Sequence, residues 1–422
     1  MANSLEKIKL PTDWKCATLE ELCVRPGEYG AGIAKRDYDP SLPRYIRITD
    51  IRDDGFLHSI NPVSISEEDA RPYLMKEGDI VFARSGATVG KTYLYNKDDG
   101  RCAFAGYLIK FQPNPNVIVA EFLKYFVQSK FYWKWVKNSQ QTLAQPNINA
   151  KQYGSLNVPV PPLPEQKKIA EILSSVDEAI ASTQAVIDQI RKVKQGLLQQ
   201  LLTRGIGHTK FKESAIGQIP EFWKLKRINE LGKVQAGRQR SPHFTEGKIR
   251  PYLRVANVFD GYIDTSDVLE MAFTEDEYKR YCLQDGDILL NEGQSLDLVG
   301  RSAIYRGVPK NCCFQNTLIR FRAYKDINIE FAQTLFQFLQ YSGRFSAIAL
   351  QTTSIAHLGV SRFASLEVIL PPYEEQCQIA EIFSVQQKAL NTEREKLLQL
   401  QILKCGLMQD LLTGKVRVGC TP

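Results

Sequence analysis

One segment of this chain occurs twice, and that constrains the fold more than any other feature. PPLPEQKKIAEILSSVDEAIASTQAVIDQIRKVKQGLLQQLLTRGI runs from Pro161 to Ile206 and returns, altered but ungapped, from Pro371 to Val416. At this constant offset of 210, 18 of the 46 positions are identical, from Pro161 and Pro371 to Thr203 and Thr413. Chance similarity does not hold register over that length, so the segment is an internal repeat.

Each copy reads as one long helix. Pro161 and Pro162 are tolerated before a helix but not inside one, and Glu165 and Glu171 place negative charge near its positive end, so the helix starts near Leu163. Apolar residues then recur at spacings of three and four: Ile169, Ile172, Leu173, Val176, Ala179, Ile180, Val186, Ile187, Ile190, Val193, Leu197 and Leu201. Sustained over about five heptads, this is the pattern of a coiled coil. The second copy keeps it at Ile379, Ile382, Phe383, Leu390, Leu397, Leu400, Leu403, Leu407 and Leu411. Each stripe is therefore the natural partner of the other, and about 40 residues at ~1.5 Å per residue make a rod of roughly 60 Å.

The material before each helix repeats more loosely. Leu10-Pro11-Thr12-Asp13-Trp14-Lys15 is echoed by Ile219-Pro220-Glu221-Phe222-Trp223-Lys224, and Arg44-Tyr45-Ile46-Arg47-Ile48 by Pro251-Tyr252-Leu253-Arg254-Val255. Pro43 to Asp50, Gly78 to Ala83 and Tyr107 to Phe111 read as strands. Val119 to Val136 carries Phe122, Tyr125, Phe126 and Trp133 at helical spacing and reads as one core helix. The expected fold class is α+β: two globular α/β domains separated by two long antiparallel coiled-coil helices, an internal pseudo-twofold repeat. The boundaries follow as a first domain over 1–160, a central helix over 161–205, a second domain over 206–370, and a C-terminal helix and tail over 371–422. The glycine-rich linker Gly205–Gln218 marks the division between the halves.

Composition narrows the class. A length of 422 residues exceeds one core, and 43% hydrophobic with 24% charged content is that of a soluble globular protein. No signal-peptide core and no run of 18 uncharged apolar residues is present, so neither secretion nor membrane insertion is expected, and a cytoplasmic location is. The nine cysteines form no C-x-x-C pair and histidines number four. Structural zinc is therefore not expected, and reduced thiols are. A net charge of +7 permits a polyanionic partner without demanding one.

Two stretches resemble catalytic motifs and fail on inspection. Ser85 to Thr92, SGATVGKT, approaches the phosphate-cradling loop, but serine holds the first glycine position and Tyr93-Leu94-Tyr95 is strand-like where a helix should begin. Leu370-Pro371-Pro372-Tyr373 approaches the motif of adenine methyltransferases, whose first residue accepts hydrogen bonds from the amino group being alkylated; leucine cannot. No methyl-donor loop, paired-carboxylate motif or nucleophile-base motif accompanies them, so neither catalysis nor a cofactor is expected.

Basic and amide side chains remain, at corresponding loops of the two halves. In the first domain they are Lys35, Arg36, Arg44, Arg47, Arg84, Ser85, Lys91 and Gln145. In the second they are Arg238, Gln239, Arg240, Arg250, Arg254, Asn291, Gln294 and Arg301. Arginine forks guanine, Asn and Gln fork adenine, and lysine grips phosphate, so these are candidate DNA contacts. The loops that carry them differ (ARSGATVGK from Ala83 against NEGQSLDLVGR from Asn291) while the frame matches, which fits one task performed on two targets. A coiled-coil adaptor with no nucleic-acid role and a fused methyltransferase are the competing classes.

Over nearly its whole length the chain resembles the specificity subunits of Type I restriction-modification enzymes. The resemblance is carried by Leu156 to Gln166 (LNVPVPPLPEQ), its partner Leu366 to Gln376, Gln145-Pro146-Asn147-Ile148, Gly78-Asp79-Ile80 and Gly86 to Lys91. It implies a non-catalytic subunit that joins two methyltransferase subunits and two translocating nuclease subunits and directs them to an asymmetric bipartite site on double-stranded DNA. It also implies that each domain reads one half-site and that the helices act as spacer and as part of the methyltransferase seat. The sequence departs from the pattern at Thr352-Thr353-Ser354-Ile355, set against Gln145 to Ile148 of the first half.

Overall fold

A computed structural model describes residues 10–140, 147–241, 245–352 and 354–419. The chain divides into two compact units, one of Met1–Gln184 with Lys396–Pro422, the other of Ala185–Glu395. Each long helix thus contributes one half to each unit.

In the first unit a four-stranded antiparallel sheet runs in the order Glu28–Tyr29, Leu108–Phe111, Ile80–Ala83, Thr92–Leu94. All four side chains of Ile80–Ala83 are buried, although successive residues of a strand point to opposite faces. Both faces are covered: Ile80 and Phe82 pack with Phe122, Phe126 and Tyr132, while Val81 and Ala83 pack with Ile46, Tyr93 and Phe104. That is why the strand reads as a continuous apolar run rather than an alternation. The second unit repeats the order with Gly232–Ala236, Leu318–Ala323, Ile288–Asn291 and Ser302–Ile304. A parallel strand pair flanks each sheet, Arg44–Ile46 with Cys102–Phe104 in one unit and Tyr252–Leu253 with Cys313–Phe314 in the other. A two-stranded ribbon joins the start of each domain to its long helix, Lys15–Thr18 with Asn157–Val160 and Lys224–Arg227 with Glu367–Leu370.

Two local expectations are revised. The strand expected over Pro43–Asp50 ends at Ile46, because the Asp50 carboxylate accepts the Arg47 backbone N–H at 2.8 Å and closes a 3-10 turn over Ile48–Asp50. The single helix expected over Val119–Val136 is two, Ala120–Phe126 and Lys130–Gln140. Ser129 restarts the second by accepting the Tyr132 N–H, a capping role at which serine excels. In the second unit the corresponding helix runs unbroken over Ile329–Tyr341.

The long helices span Leu163–Arg204 and Tyr373–Leu411, starting where the paired prolines allow. No helix among the described residues is long and apolar enough to cross a membrane. Within the first unit the helices pair antiparallel through Lys404 Nζ and Asp177 Oδ1 at 2.6 Å. Within the second, Lys194 Nζ donates to Gln387 Oε1 at 3.0 Å, again in the antiparallel sense. The apolar stripe supplies the contact face in part. Ile169, Leu173, Met408, Leu411 and Leu412 enter the first unit's core, and Leu198, Leu201, Leu202, Ile379 and Phe383 the second's. Val186, Val193 and Leu403 are instead exposed. Leu173, Ile187, Lys194 and Leu201, at whole-heptad spacings, all stay buried, whereas Val186 and Val193 lie one residue off that register. Thr183 and Lys194 take buried positions on that face instead.

The first turn of each helix is an anchor rather than a solvated charge at the helix end. Glu165 is 3% exposed and accepts from Trp14 Nε1 at 3.1 Å and from Arg417 Nε at 2.8 Å. Beside it Gln166 accepts the Val119 N–H at 2.7 Å and donates to the Val117 and Pro161 carbonyls at 3.0 and 2.8 Å. The second copy repeats this: Glu375 accepts from Trp223 Nε1 at 2.8 Å and the Ile206 N–H at 3.0 Å and meets His208 Nε2 at 2.9 Å, while Gln376 takes the Asn328 N–H at 3.0 Å. Replacing Gln166 by leucine strands one donor and two acceptors, each costing about 1–3 kcal/mol when left unpaired and dry. Gln166→Leu should therefore lower the unfolding free energy by at least about 3 kcal/mol in a urea titration. Lys168→Ala, which removes only an exposed ion pair with Glu171, should stay within about 0.5 kcal/mol.

Candidate nucleic-acid interface

In both units the buried central strand delivers its next residue to the surface at the same place. In the first, the strand ends at Ala83 and Arg84 follows, its N–H donating to Tyr107 O at 3.0 Å and its carbonyl accepting the Ile148 N–H at 2.9 Å. Asn147 and Ser85 bridge, and the Arg84 guanidinium lies 5.0 Å from the centre of the exposed Tyr29 ring. Tyr29 is fixed at its far end by the Ala150 N–H, which its hydroxyl accepts at 3.2 Å. The result is a half-exposed arginine held over an aromatic ring beside an amide.

In the second unit Glu292 takes the place of Arg84. Its N–H donates to Thr317 O at 2.9 Å and its carbonyl accepts the Leu358 N–H at 2.8 Å, while Gly293 and Gln294 pair with His357 and Ala356. Glu292 Oε2 lies 3.0 Å from His357 Nδ1, and that side chain is 44% exposed. The same backbone frame therefore presents arginine, tyrosine and asparagine in one half, and glutamate, glutamine and histidine in the other.

The backbone frame corrects one alignment made from sequence. Asn147-Ile148 corresponds to His357-Leu358, at the offset of 210 that the long helices keep, and not to Ser354-Ile355. The loops also differ in length, since Gly90 N–H closes onto Ala83 O at 3.0 Å and Gly300 N–H onto Asn291 O at 2.9 Å. Thr92–Leu94 after the first loop is a strand, so no helix terminus faces the glycines of the SGATVGKT segment. Among the described residues no three His, Cys, Asp or Glu side chains gather where a metal ion could be held.

The sixteen candidate contacts separate by what holds them. Lys35, Arg36, Gln239 and Arg240 are exposed, and Arg84, Ser85, Gln294 and Arg301 are half-exposed, Arg301 lying 5.6 Å from the Phe259 ring. A second group is held by partners within the chain. Arg47 forks Asp50 through Nε at 3.0 Å and Nη2 at 2.6 Å, and Lys91 meets Asp53 at 2.8 Å and Ile51 O at 3.3 Å. Arg254 meets Asp267 at 2.5 Å, Arg44 reaches the His58 carbonyl, and Arg250 lies 3.6 Å from the centre of the Tyr278 ring. The Lys91 ammonium beside it holds the Asp53 carboxyl below the usual range, and the Asp50 carboxylate raises the Arg47 pKa further. Arg238 and Asn291 are buried, the first donating from Nε to Glu277 at 2.8 Å and the second from its amide to Val258 O at 3.3 Å. Gln145 lies outside the described residues.

Sequence reasoning passed over Tyr29, Asn147, Glu292 and His357. Holding the 210 offset through the loops would have set Asn147 opposite His357, but Tyr29 reaches Arg84 only through the sheet. Arg238→Met should lower stability by about 2 kcal/mol in chemical denaturation, since it leaves a partly buried carboxylate without its partner. Arg240→Met, on the exposed loop, should change it by less than about 0.5 kcal/mol.

Comparison with known proteins places this geometry. A family model described as the Type I restriction modification DNA specificity domain matches the chain twice, over residues 11–192 and 220–401. The MjaVIII specificity subunit of Methanocaldococcus jannaschii is 25% identical over 421 residues, covering 97% of this chain and 95% of that one. The EcoKI specificity subunit of Escherichia coli is 29% identical over 311 residues, 71% of this chain and 66% of the other. Two solved structures share the fold. A Type I restriction-modification S subunit from M. genitalium superposes with a TM-score of 0.57 at 16% identity, covering both chains fully. A chain from a study of Type I complex assembly and conformational transition gives 0.58 at 17% identity, over 97% of this chain and all of the other.

Proposed function

The chain belongs to the Type I restriction-modification DNA specificity family, and from that premise we propose that it reads an asymmetric, bipartite sequence on double-stranded DNA, one half-site per unit. It is a specificity subunit and not a catalytic one, as its relatives' names have it. The observation that carries the bipartite reading is the exchange of chemistry on a shared frame, Arg84 with Asn147 against Glu292 with His357. An arginine held on a tyrosine ring is suited to fork the O6 and N7 acceptors of guanine, and asparagine the N6 and N7 edge of adenine. A glutamate accepts from the N4 amino group of cytosine, a donor that arginine would repel. Two units that present opposite hydrogen-bonding polarity at one position have no reason to read the same bases, so the site is asymmetric.

Around this pair of readers, Lys35, Arg36, Gln239, Arg240, Gln294, Ser85 and Arg301 supply phosphate and further base contacts. Arg44, Arg47, Lys91, Arg250 and Arg254 shape the loops through their ion pairs and ring contacts, and Arg238 and Asn291 support them from within. The partners are two methyltransferase subunits, which alkylate the site that this chain selects, and two translocating nuclease subunits. Exposed apolar side chains on the second long helix, Leu398, Ile402 and Leu403, support a protein partner there.

Methylation mapping of genomic DNA from cells that carry this chain with its methyltransferase partner tests the assignment. Arg84→Ala should relax one base position in one half-site, by about 1–3 kcal/mol of discrimination, and leave the other half-site untouched. Glu292→Gln should relax one position in the opposite half-site. A single substitution that altered bases in both half-sites would overturn the one-unit, one-half-site reading.

A further inference from the structure

The second unit contains a cavity of about 440 Å³ where the first unit has one of about 210 Å³. The correspondence follows from the repeat. At the offset of 210 Asp177 becomes Gln387, and Lys194 becomes Lys404. The helix before each long helix aligns at 209, since Val119 and Asn328 donate to the equivalent Gln166 and Gln376, and this sets Tyr125 against Thr334 and Lys124 against Gln333. In the first unit the site closes on itself: Tyr125 donates to Asp177 Oδ2 at 2.9 Å, Lys404 pairs with Asp177 Oδ1 at 2.6 Å, and the ammonium groups of Lys404 and Lys124 lie 5.5 and 5.2 Å from the centre of the Tyr125 ring.

In the second unit Tyr125, Asp177 and Lys124 are replaced, the lysine of the helix pair is kept, and the space is larger. Lys194 is 6% exposed yet its ammonium donates only to the neutral Gln387 Oε1, at 3.0 Å, and the Gln387 amide is in turn committed to Asn391 Oδ1 at 3.0 Å. Gln333, 7% exposed, spends its amide on the Ser302 carbonyl and hydroxyl at 2.9 and 3.0 Å, which leaves its own carbonyl oxygen buried without a donor. Buried ammonium groups and carbonyls are ordinarily paired, because leaving them dry and unmatched costs about as much as a folded domain can spare. Three cations, Lys194, Arg306 and Lys388, and one carboxylate, Glu330, line the cavity. Asp260, held by Gln337 and Tyr341, adds a weaker attraction on Lys194 from beyond the lining.

We propose that this cavity is a binding site for a small organic acid, whose carboxylate or phosphate meets Lys194 and whose carbon skeleton fills the room beside it. Thr334, where the first unit has tyrosine, makes the room, and Gln387, where it has aspartate, leaves the lysine charge for the ligand. The site lies within one unit.

Calorimetric titration of the full chain with lactate, glycerol 3-phosphate and inorganic phosphate tests it. Saturable one-site binding of lactate is expected if the acid group is a carboxylate, and of glycerol 3-phosphate if it is a phosphate. Inorganic phosphate, which leaves most of the cavity unfilled, should bind at least about tenfold more weakly than the better of the two. Lys194→Met should weaken binding at least tenfold. Thr334→Tyr restores the side chain of the first unit and should abolish binding. Gln387→Asp supplies the lysine with its own counter-charge and should abolish binding too while raising the melting temperature, so the test stands even if the tyrosine variant does not fold. Failure of both organic acids to saturate, binding of inorganic phosphate alone, or binding unchanged in Lys194→Met and Gln387→Asp would overturn the proposal.

Discussion

Each long helix depends on two adjacent buried polar residues in its first turn. A carboxylate taken out of water costs several kcal/mol unless donors replace the lost hydration. Glu165 and Glu375 each regain them from an indole N–H and from a third group, the Arg417 guanidinium in one unit and the Ile206 N–H with His208 in the other. The neighbouring glutamine then ties the helix to the domain core through main-chain groups. Because these donors lie far apart in the chain, 252 residues for Glu165 and Arg417, the anchor also recruits the C-terminal tail into the first unit.

This anchor explains why a loosely repeated sequence gives a closely repeated frame. Once the helix start, the ribbon beside it and the central buried strand are set, the strand can end only where its backbone hydrogen bonds run out. Arg84 and Glu292 stand at that point in their units, and neither side chain is needed for the backbone pairing that positions it. The reading positions are free to differ in chemistry because the frame does not use them. The arginines that do belong to the frame, such as Arg47 on Asp50, are those with a carboxylate or carbonyl already in reach.

The same independence operates inside the helix pair. Lys194 and Lys404 are identical and equivalent, yet one faces aspartate and a packed tyrosine and the other faces glutamine and open space. An ion pair and an aromatic ring pack one site closely, whereas a neutral glutamine and a small threonine leave the other lysine without the carboxylate its counterpart has. Repetition therefore preserves the scaffold and permits the two copies to acquire different ligands.

Much of this was legible in the residues alone. The helices, their starts after the paired prolines, the two-domain repeat and the strand Ile80–Ala83 follow from periodicity and from proline and glycine placement, which are local and direct. Burial of the glutamates, the break at Ser129 and the exposure of Val186 and Val193 were not, because each depends on what packs against the segment. Among the candidate contacts residue type alone could not separate Arg84 from Arg238. One is exposed on a ring and the other is sunk against Glu277, a difference set by whether an acidic partner from a distant segment comes within hydrogen-bonding distance. The sequence by itself determined the periodic elements and their duplication, since those rest on interactions between near neighbours. Only the tertiary structure decided which charges are spent within the fold and which remain for a partner, since that is settled by side chains brought together by folding, as Arg238 and Glu277 are across 39 residues.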